Sequence, residues 1–361
     1  MNFSYNTSNK FIFDSSIVGA TRAGVSVFSK NLLKELVKLK SIEVDNYVNP
    51  FSTINKKGIS RKIFSLLRLL YCEFIYFRGN HNDIFFFPSS EVPVSILLSN
   101  KIFHVVIHDI ESYKDKTKTT IFGYLKNISL TRIITKSSKI YTDSNYSKKD
   151  ICKHFSVKDS KITILKVGLK NEFYSEHKTL FQNKNKYLLH VGSIEPRKNI
   201  PFLIDVFEEF LKLPEGRDYY LYMTGAEAWK SKYIYNRIEA SNCNKRIKIL
   251  GYIKDEALPE LYKNATVLVY PSFAEGFGIP VIESLSQGTP VIANNNSALV
   301  EFSDFGIQLI SNFDKIDWAT QISTIVKNEV IVNDMYIQKV RAEFRWDNIA
   351  NHLCDSLKNV N

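Results

Sequence analysis

Short apolar runs rich in β-branched and aromatic residues alternate with helix-patterned segments along most of this chain. That alternation constrains the fold more than any other feature. In the C-terminal half the order is YLLHV (Tyr187 to Val191), a helix from about Ile200 to Lys212, YYLYM, RIKIL, a helix from Ala257 to Asn264, TVLVY, a helix from about Pro280 to Gln287, PVIA and FGIQLI. The N-terminal half repeats the theme less sharply, with Lys10 to Asp14, the amphipathic Val25 to Leu39, Ile84 to Phe87, Ile102 to His108 and Lys139 to Thr142. Strand and helix in alternation imply an α/β chain built on doubly wound parallel sheets. With 361 residues, 44% of them apolar, the chain is long enough for two such domains, each with its own core. The Lys/Asn-rich stretch Ser175 to Lys186 is the expected linker.

Several function classes are disfavoured at this level. Cys72, Cys152, Cys243 and Cys354 lie far apart with no C-x-x-C pair, which argues against a zinc site and a disulfide scaffold and fits a reducing cytoplasm. The start, MNFSYNTSNKFIF, lacks a charged segment followed by a sustained apolar one, and no run approaches the roughly 18 apolar residues of a membrane span. The expectation is a protein neither exported nor integral to a membrane. No D-x-D is present to hold a divalent ion, so neither metal nor cofactor is expected.

Charge is divided unevenly. Residues 1–170 hold 27 Lys and Arg against 13 Asp and Glu, and the rest hold 21 against 24. A one-sided basic field of +14 suits a polyanionic partner such as nucleic acid, an anionic membrane surface or a phosphorylated lipid. A lysine-rich solvated surface accounts for it equally well. Within that half, ISRKIFSLLRLLYCEFIYF (Ile59 to Phe77) sets Arg61, Lys62 and Arg68 beside a broad apolar face. Such a helix can lie on an anionic membrane or pack on the sheet with its cations outward.

The richest stretch for chemistry is PSFAEGFGIPVIESLSQGTPVIA, Pro271 to Ala293. The strand TVLVY delivers Glu275 to the ligand-binding edge of a parallel sheet, Pro280 suits the first turn of the following helix, and Gly288 closes it. Gly276 and Gly278 let the backbone approach a ligand, and the amides at the helix start attract an anion. Glu283 falls about one turn inside that helix. A carboxylate that accepts vicinal hydroxyls binds a ribose or a hexose, so the pair could hold both ends of a sugar nucleotide; either glutamate alone reads more readily as a loop or helix-surface charge. A second segment, GSIEPRKN (Gly192 to Asn199), follows YLLHV and opens another helix, with Asn199 as its expected N-cap. Arg197 and Lys198 at such a helix start can clamp a diphosphate and stabilise charge on a leaving group, although such a pair taken alone is more often a solvated helix end.

Together these segments resemble the retaining glycosyltransferases of family 4. HVGSIEPRKNIPFLIDVF, IKILGYIKDEALPELYKNATVLVYPSFAEGFGIPVIESLSQGTPVIANNNSALVEF and FRWDNIA carry the resemblance, with weaker matches in RAGVSVFSKNLLKEL, VVIHDI and IYTDSNYSKKDI. The resemblance implies the GT-B fold, two doubly wound Rossmann-like domains facing a cleft: an acceptor-side domain over 1–172 joined by a closing helix at about 346–361, and a donor domain over 173–345. It implies that Glu275 contacts hydroxyls of the donor sugar, Glu283 accepts the ribose hydroxyls, and Arg197 with Lys198 grips the diphosphate. Phe277 and Gly278 would offer backbone amides, with Gly276 and the loop glycine Gly192 beside them, and Tyr252 and Ile253 would lie where the base stacks. His108 would reach the sugar from the first domain, and Arg22 and Gly24 would lie on the acceptor side. Two departures stand out: Ser193 follows Gly192 where many relatives have arginine, and Gly24 stands alone where some members show a doubled glycine.

The function so implied is a hexosyltransferase, metal-independent and retaining, that uses GDP-mannose, a UDP-hexose or dTDP-rhamnose. It would extend a polyprenyl-diphosphate-linked glycan of bacterial surface polysaccharide, O-antigen or capsule, at the inner face of the cytoplasmic membrane. A GT-B epimerase or phosphorylase shares the fold. A nicotinamide dehydrogenase needs a G-x-G-x-x-G turn that is missing, and a basic nucleic-acid-binding protein leaves Glu275 and Glu283 without a role.

Overall fold

The computed structural model describes residues 10–16, 24–39, 44–47, 59–78, 80, 82–114, 121–174, 186–228 and 231–358, with the side chains of 45–47, 59–66, 68–69 and 121–126 outside the description. The chain divides into two compact units, 1–168 with 345–361, and 169–344. The divide falls a few residues from the expected bounds, and all of the expected linker, Ser175 to Lys186, except Lys186 lies outside the described residues.

Among the described residues the first unit has six parallel strands: β1 (Phe11–Asp14), β2 (Val44–Tyr47), β3 (Ile84–Phe87), β4 (Ile102–Val106), β5 (Lys139–Thr142) and β6 (Ile162–Ile164), in the order β2-β1-β3-β4-β5-β6. Helices α1 (Gly24–Lys38), α2 (Ile59–Arg78), α3 (Val94–Leu98), α4 (Glu111–Lys114), α5 (Ile121–Lys136) and α6 (Asn145–Phe155) supply the crossovers and the short turns between strands. Phe11, Ile12 and Phe13, and likewise Phe85, Phe86 and Phe87, are buried in succession. Burial of consecutive residues is what a parallel sheet covered on both faces requires. The expected strand from Ile102 to His108 stops at Val106, so His108 sits in the loop beyond it.

The second unit repeats the plan with β7 (Tyr187–Val191), α7 (Ile200–Phe210), β8 (Tyr220–Thr224), α8 (Lys232–Glu239), β9 (Ile247–Gly251), α9 (Leu258–Asn264), β10 (Val267–Tyr270), α10 (Ile279–Ser286), β11 (Val291–Asn294), β12 (Gln308–Ile310), α11 (Lys315–Lys327) and α12 (Asp334–Glu343). Its parallel sheet is ordered β12-β11-β10-β7-β8-β9. Its core gathers Leu188, Leu221, Val269 and Ile292 from one sheet face with Leu203, Phe207 and Trp318 from the helices α7 and α11 that cover it.

The last helix, α13 (Trp346–Lys358), belongs to the first unit. Trp346, Ile349, Ala350, Leu353, Cys354 and Leu357 form its buried stripe at the spacing of an amphipathic helix. Trp346 meets Phe28 of α1 edge-on at 5.6 Å and lies over Gly168, where a Cβ would come within 2.6 Å of the indole. Among the described residues no helix is long and apolar enough to cross a membrane.

Candidate active site

In the second sheet β7 lies between β10 and β8, so the chain leaves β7 toward one side and β10 toward the other. Where strand order reverses in this way the two connecting loops diverge and leave a crevice at the carboxyl edge, the usual ligand position in such sheets. The loops concerned are 192–199 and 271–278, which carry most of the candidate residues. The first is packed tightly against its neighbour: Gly192 N–H donates to the Thr224 carbonyl at 2.9 Å, and any Cβ on Gly225 would overlap the Gly192 carbonyl oxygen. Pro196–Lys198 forms a single tight turn, and Asn199 follows in the left-handed region at φ 53°. Asn199 therefore stands at the start of α7 without the side-chain cap expected of it, because its backbone is spent on reversing the chain. Pro201 in the first turn of α7 makes the entry instead.

That turn brings two cations onto one carboxylate. Lys198 Nζ is 2.7 Å from Glu275 Oε1, and Arg197 Nη1 is 2.8 Å from Glu275 Oε2. Arg197 also donates to the Ala274 carbonyl at 2.9 Å and to Glu195 at 3.1 Å, while Lys198 donates to the Tyr270 hydroxyl at 2.8 Å. The two loops are further tied by Phe273 N–H to the Arg197 carbonyl, and the Glu275 amide donates to Ser297 Oγ at 2.9 Å. Glu275 is only 5% exposed. Burial by itself raises its carboxyl, but Lys198 and then Arg197 outweigh burial and hold it at about 2. The ammonium fares differently. Lys198 loses more to burial than Glu275 returns, and Arg197 opposes it further, so its pKa falls. The carboxylate is secured as an anion at some expense to its partner.

Glu283, one turn into α10 and 3% exposed, has a different setting. The Tyr262 hydroxyl donates to Oε2 at 2.8 Å, and Lys170 Nζ stands 3.8 Å from Oε1 while pairing with Asp255 at 2.8 Å. Burial pushes the Glu283 carboxyl up, and Lys170 and Tyr262 only partly counter it. The turn before α10 depends on Gly278, whose φ of 117° is closed to most side chains, and no side chain caps the helix start. Gly276, Phe277 and Gly278 are buried, with Phe277 edge-on to Phe302 and Phe344. Tyr252, 49% exposed, and Ile253 follow Gly251 at the end of β9.

In the first unit, His108 Nδ1 lies 2.9 Å from Asp143 Oδ2, and Nε2 lies 3.2 Å from the Pro88 carbonyl. Burial disfavours the charged ring, but Asp143 and the Pro88 carbonyl prevail and raise its pKa, while burial lifts Asp143 against the pull of His108. Both ring nitrogens face acceptors, which suits the imidazolium. Gly24 is the first residue of α1. Arg22 lies outside the described residues, as do the side chains of Arg61, Lys62 and Arg68 on α2.

Sequence reading missed Tyr262, Lys170, Tyr270 and His190. A usable signal existed for Tyr262: it falls four residues after Leu258 on the buried stripe of α9, and a phenol on a core face needs a partner for its hydroxyl. His190, fully buried and stacked on Tyr270 with centroids 5.8 Å apart, has its Nδ1 3.1 Å from the Val269 carbonyl. Burial lowers its pKa to about 4, so it is a neutral ring that donates from Nδ1.

Comparison with known proteins matches residues 173–343 to the family of glycosyl transferases group 1. An O-antigen chain mannosyltransferase of Escherichia coli is 30% identical over 184 residues, covering 48% of this chain and 47% of its own. Another O-antigen chain mannosyltransferase, of Salmonella typhimurium, is 26% identical over 61% of this chain and 60% of its own. The chain thus spans about half the length of the curated relatives it matches. Among solved structures, Anabaena HepE bound to UDP and glucose superposes with a TM-score of 0.72 at 14% identity, covering 97% of this chain and 99% of its own. Sucrose-phosphate synthase of Thermosynechococcus elongatus gives 0.71 at 16%, over 98% and 99%. At these identities the likeness establishes the fold: two parallel-sheet α/β units of the GT-B type.

Proposed function

We propose that this chain, whose residues 173–343 match the glycosyl transferases group 1 family, moves a hexose from a nucleotide sugar onto a growing surface glycan with retention at the anomeric carbon. The observation that carries the proposal is the pair of buried carboxylates beside one topological switch point, each with its own donors: Glu275 with Lys198 and Arg197, Glu283 with Tyr262 and Lys170. A carboxylate fixed as an anion is an acceptor for sugar hydroxyls, and cations beside it suit a diphosphate. Glu275 takes hydroxyls of the donor hexose, and Glu283 takes those of the ribose. Gly192, Gly276, Phe277 and Gly278 line the approach, and Tyr252 with Ile253 receives the base. His108 serves the transferred sugar, and Arg22 and Gly24 serve the acceptor side. Relatives named as mannosyltransferases favour GDP-mannose among the candidate donors.

As the bond from the anomeric carbon to phosphate oxygen breaks, the electron pair departs with the diphosphate and an oxocarbenium-like centre develops. The acceptor hydroxyl attacks from the same face and gives its proton to the departing phosphate oxygen. Arg197, Lys198 and the uncapped amides at the start of α10 stabilise the growing negative charge. The test is nucleoside diphosphate release from GDP-mannose, UDP-glucose and dTDP-rhamnose, with and without a polyprenyl-diphosphate-linked glycan. Release from one donor that requires the glycan is expected. Epimerisation without acceptor, or a requirement for phosphate, would replace this reading with an epimerase or a phosphorylase.

The same reading places the enzyme on the cytoplasmic side of an anionic membrane. Leu70, Phe74 and Phe77 form an exposed stripe on α2, Phe77 being 75% exposed, and α3 adds Val94 and Leu98; Glu73 of α2 accepts from the Val94 and Ser95 amides and links the two helices. Apolar side chains at the surface of a unit with 28 Lys and Arg against 15 Asp and Glu suit insertion between anionic headgroups. Each cation near such a surface contributes about 1 kcal/mol. Sedimentation with anionic vesicles should therefore exceed that with neutral ones and fall at high salt; equal partitioning would move the acceptor into solution.

A further inference from the structure

We propose, resting on the reading of Glu283 as the ribose-binding carboxylate, that Tyr262 and Lys170 are its positioning residues: they fix the carboxylate plane and leave Oε1 as the oxygen that meets the ribose. The two oxygens are not equivalent. Oε2 receives the Tyr262 hydroxyl at 2.8 Å, a strong donor placed by a side chain with no exposed surface. Tyr262 cannot easily swing away. Its ring is edge-on to Phe173 with centroids 5.8 Å apart, and its carbonyl accepts from Thr289 Oγ1 at 2.6 Å and from the Ala265 amide at 3.0 Å.

Oε1 meets Lys170 at 3.8 Å, beyond hydrogen-bond range. Lys170 is held at that distance by Asp255, which takes its ammonium at 2.8 Å. The cation is thus close enough to favour the charged form of Glu283 while its short hydrogen bond goes to Asp255. An ionised carboxylate oxygen has about two lone-pair sites, so Oε1 can accept both hydroxyls of a vicinal diol. A carboxylate free to rotate would offer the diol either oxygen in many orientations. One clamped by a buried phenol offers a single geometry, which favours a nucleoside with both hydroxyls present.

Calorimetry with GDP and 2′-deoxy-GDP, and with UDP and 2′-deoxy-UDP, tests this. For the base the protein accepts, the unmodified chain should bind the ribonucleotide about tenfold or more tighter than the deoxynucleotide, the worth of a hydrogen bond to a charged acceptor. Tyr262→Phe should bring that ratio to within about threefold while the melting curve stays cooperative. Lys170→Met should also reduce the ratio, and Lys170→Arg should restore most of it. If Tyr262→Phe does not fold, Lys170→Met with its arginine counterpart decides the matter. An unmodified chain that shows no preference between ribo- and deoxynucleotide would overturn the ribose reading of Glu283 itself. A normal preference that survives in both variants, or a variant that weakens both nucleotides equally, would overturn the positioning role and leave the ribose reading intact.

Discussion

Glu275 and Glu283 lie on one loop–helix segment and are buried to nearly the same degree, yet their carboxyls move in opposite directions. Glu275 has two cations within 2.8 Å and is held at about 2; Glu283 has a neutral phenol at 2.8 Å and a cation at 3.8 Å, and burial pushes it up. Burial is common to both, so the count and distance of cations, together with the Asp255 charge near Glu283, set the difference. The contrast separates two kinds of acceptor. One carboxylate is permanently charged and doubles as an anchor between the loops after β7 and β10. The other lies nearer to its protonation point and depends on neutral and distant donors.

The largest effect that could break this contrast is on stability. Lys198→Met leaves Glu275 buried with Arg197 alone, and removal of one partner of a buried pair costs about 3–5 kcal/mol, a fall in melting temperature on the order of 10 °C. The same pairing has an acid signature. The folded pKa of Glu275 lies below its ordinary value of 4.5, so its contribution is complete above 4.5 and is lost as pH falls toward about 2. Glu275→Gln should flatten the acid limb of the stability curve in that window. A melting temperature unmoved by Lys198→Met would show that the loops are held by other contacts.

Next in size is catalysis. Arg197→Ala should slow turnover at saturating donor by a factor of about 100 while changing donor affinity less, because its charge matters most when the diphosphate departs. Near-normal turnover would confine Arg197 to anchoring Glu275. For Glu283 the expected loss is in binding: Glu283→Ala should weaken nucleoside diphosphate affinity by about 1.5–3 kcal/mol in calorimetry. Unchanged affinity would remove it from the site. The smallest expected effect sharpens the contrast through pH. The groups facing Glu283 are Tyr262 from α9, Lys170 from the segment after β6 and Asp255 from the turn before α9. Its raised pKa means that nucleotide affinity should fall as pH drops through that value, by no more than about tenfold per unit. Glu283→Gln should abolish this dependence, whereas Glu275→Gln should leave it in place.

What the sequence shows and hides follows from range. The bounds of β3, β5 and β7 are legible because each is a short apolar run between polar or turn residues, a local signal. Both glutamates and the Arg197–Lys198 pair stand out for the same reason. Their mutual contact does not: 77 residues separate Lys198 from Glu275, and only the adjacency of β7 and β10 brings them together. Lys170 is a similar case, since its link to Glu283 requires the chain to run from β7 through β10 before α10 begins. Asn199 misleads because Asn serves both as an N-cap and as a left-handed residue, and spacing alone does not distinguish the two.

The assignment of residues 345–361 to the first unit has a consequence for biosynthesis. On the ribosome, all of 169–344 emerges before α13 does, so the second unit has the whole of its own chain while the first still lacks the indole that covers Gly168 and the residues that pack on α1. The first unit therefore has an apolar face uncovered until the second has been made, and α13 acts as its closing stitch. A chain stalled just after Phe344 should present a protease-resistant second unit and a first unit that is cut readily until α13 is supplied.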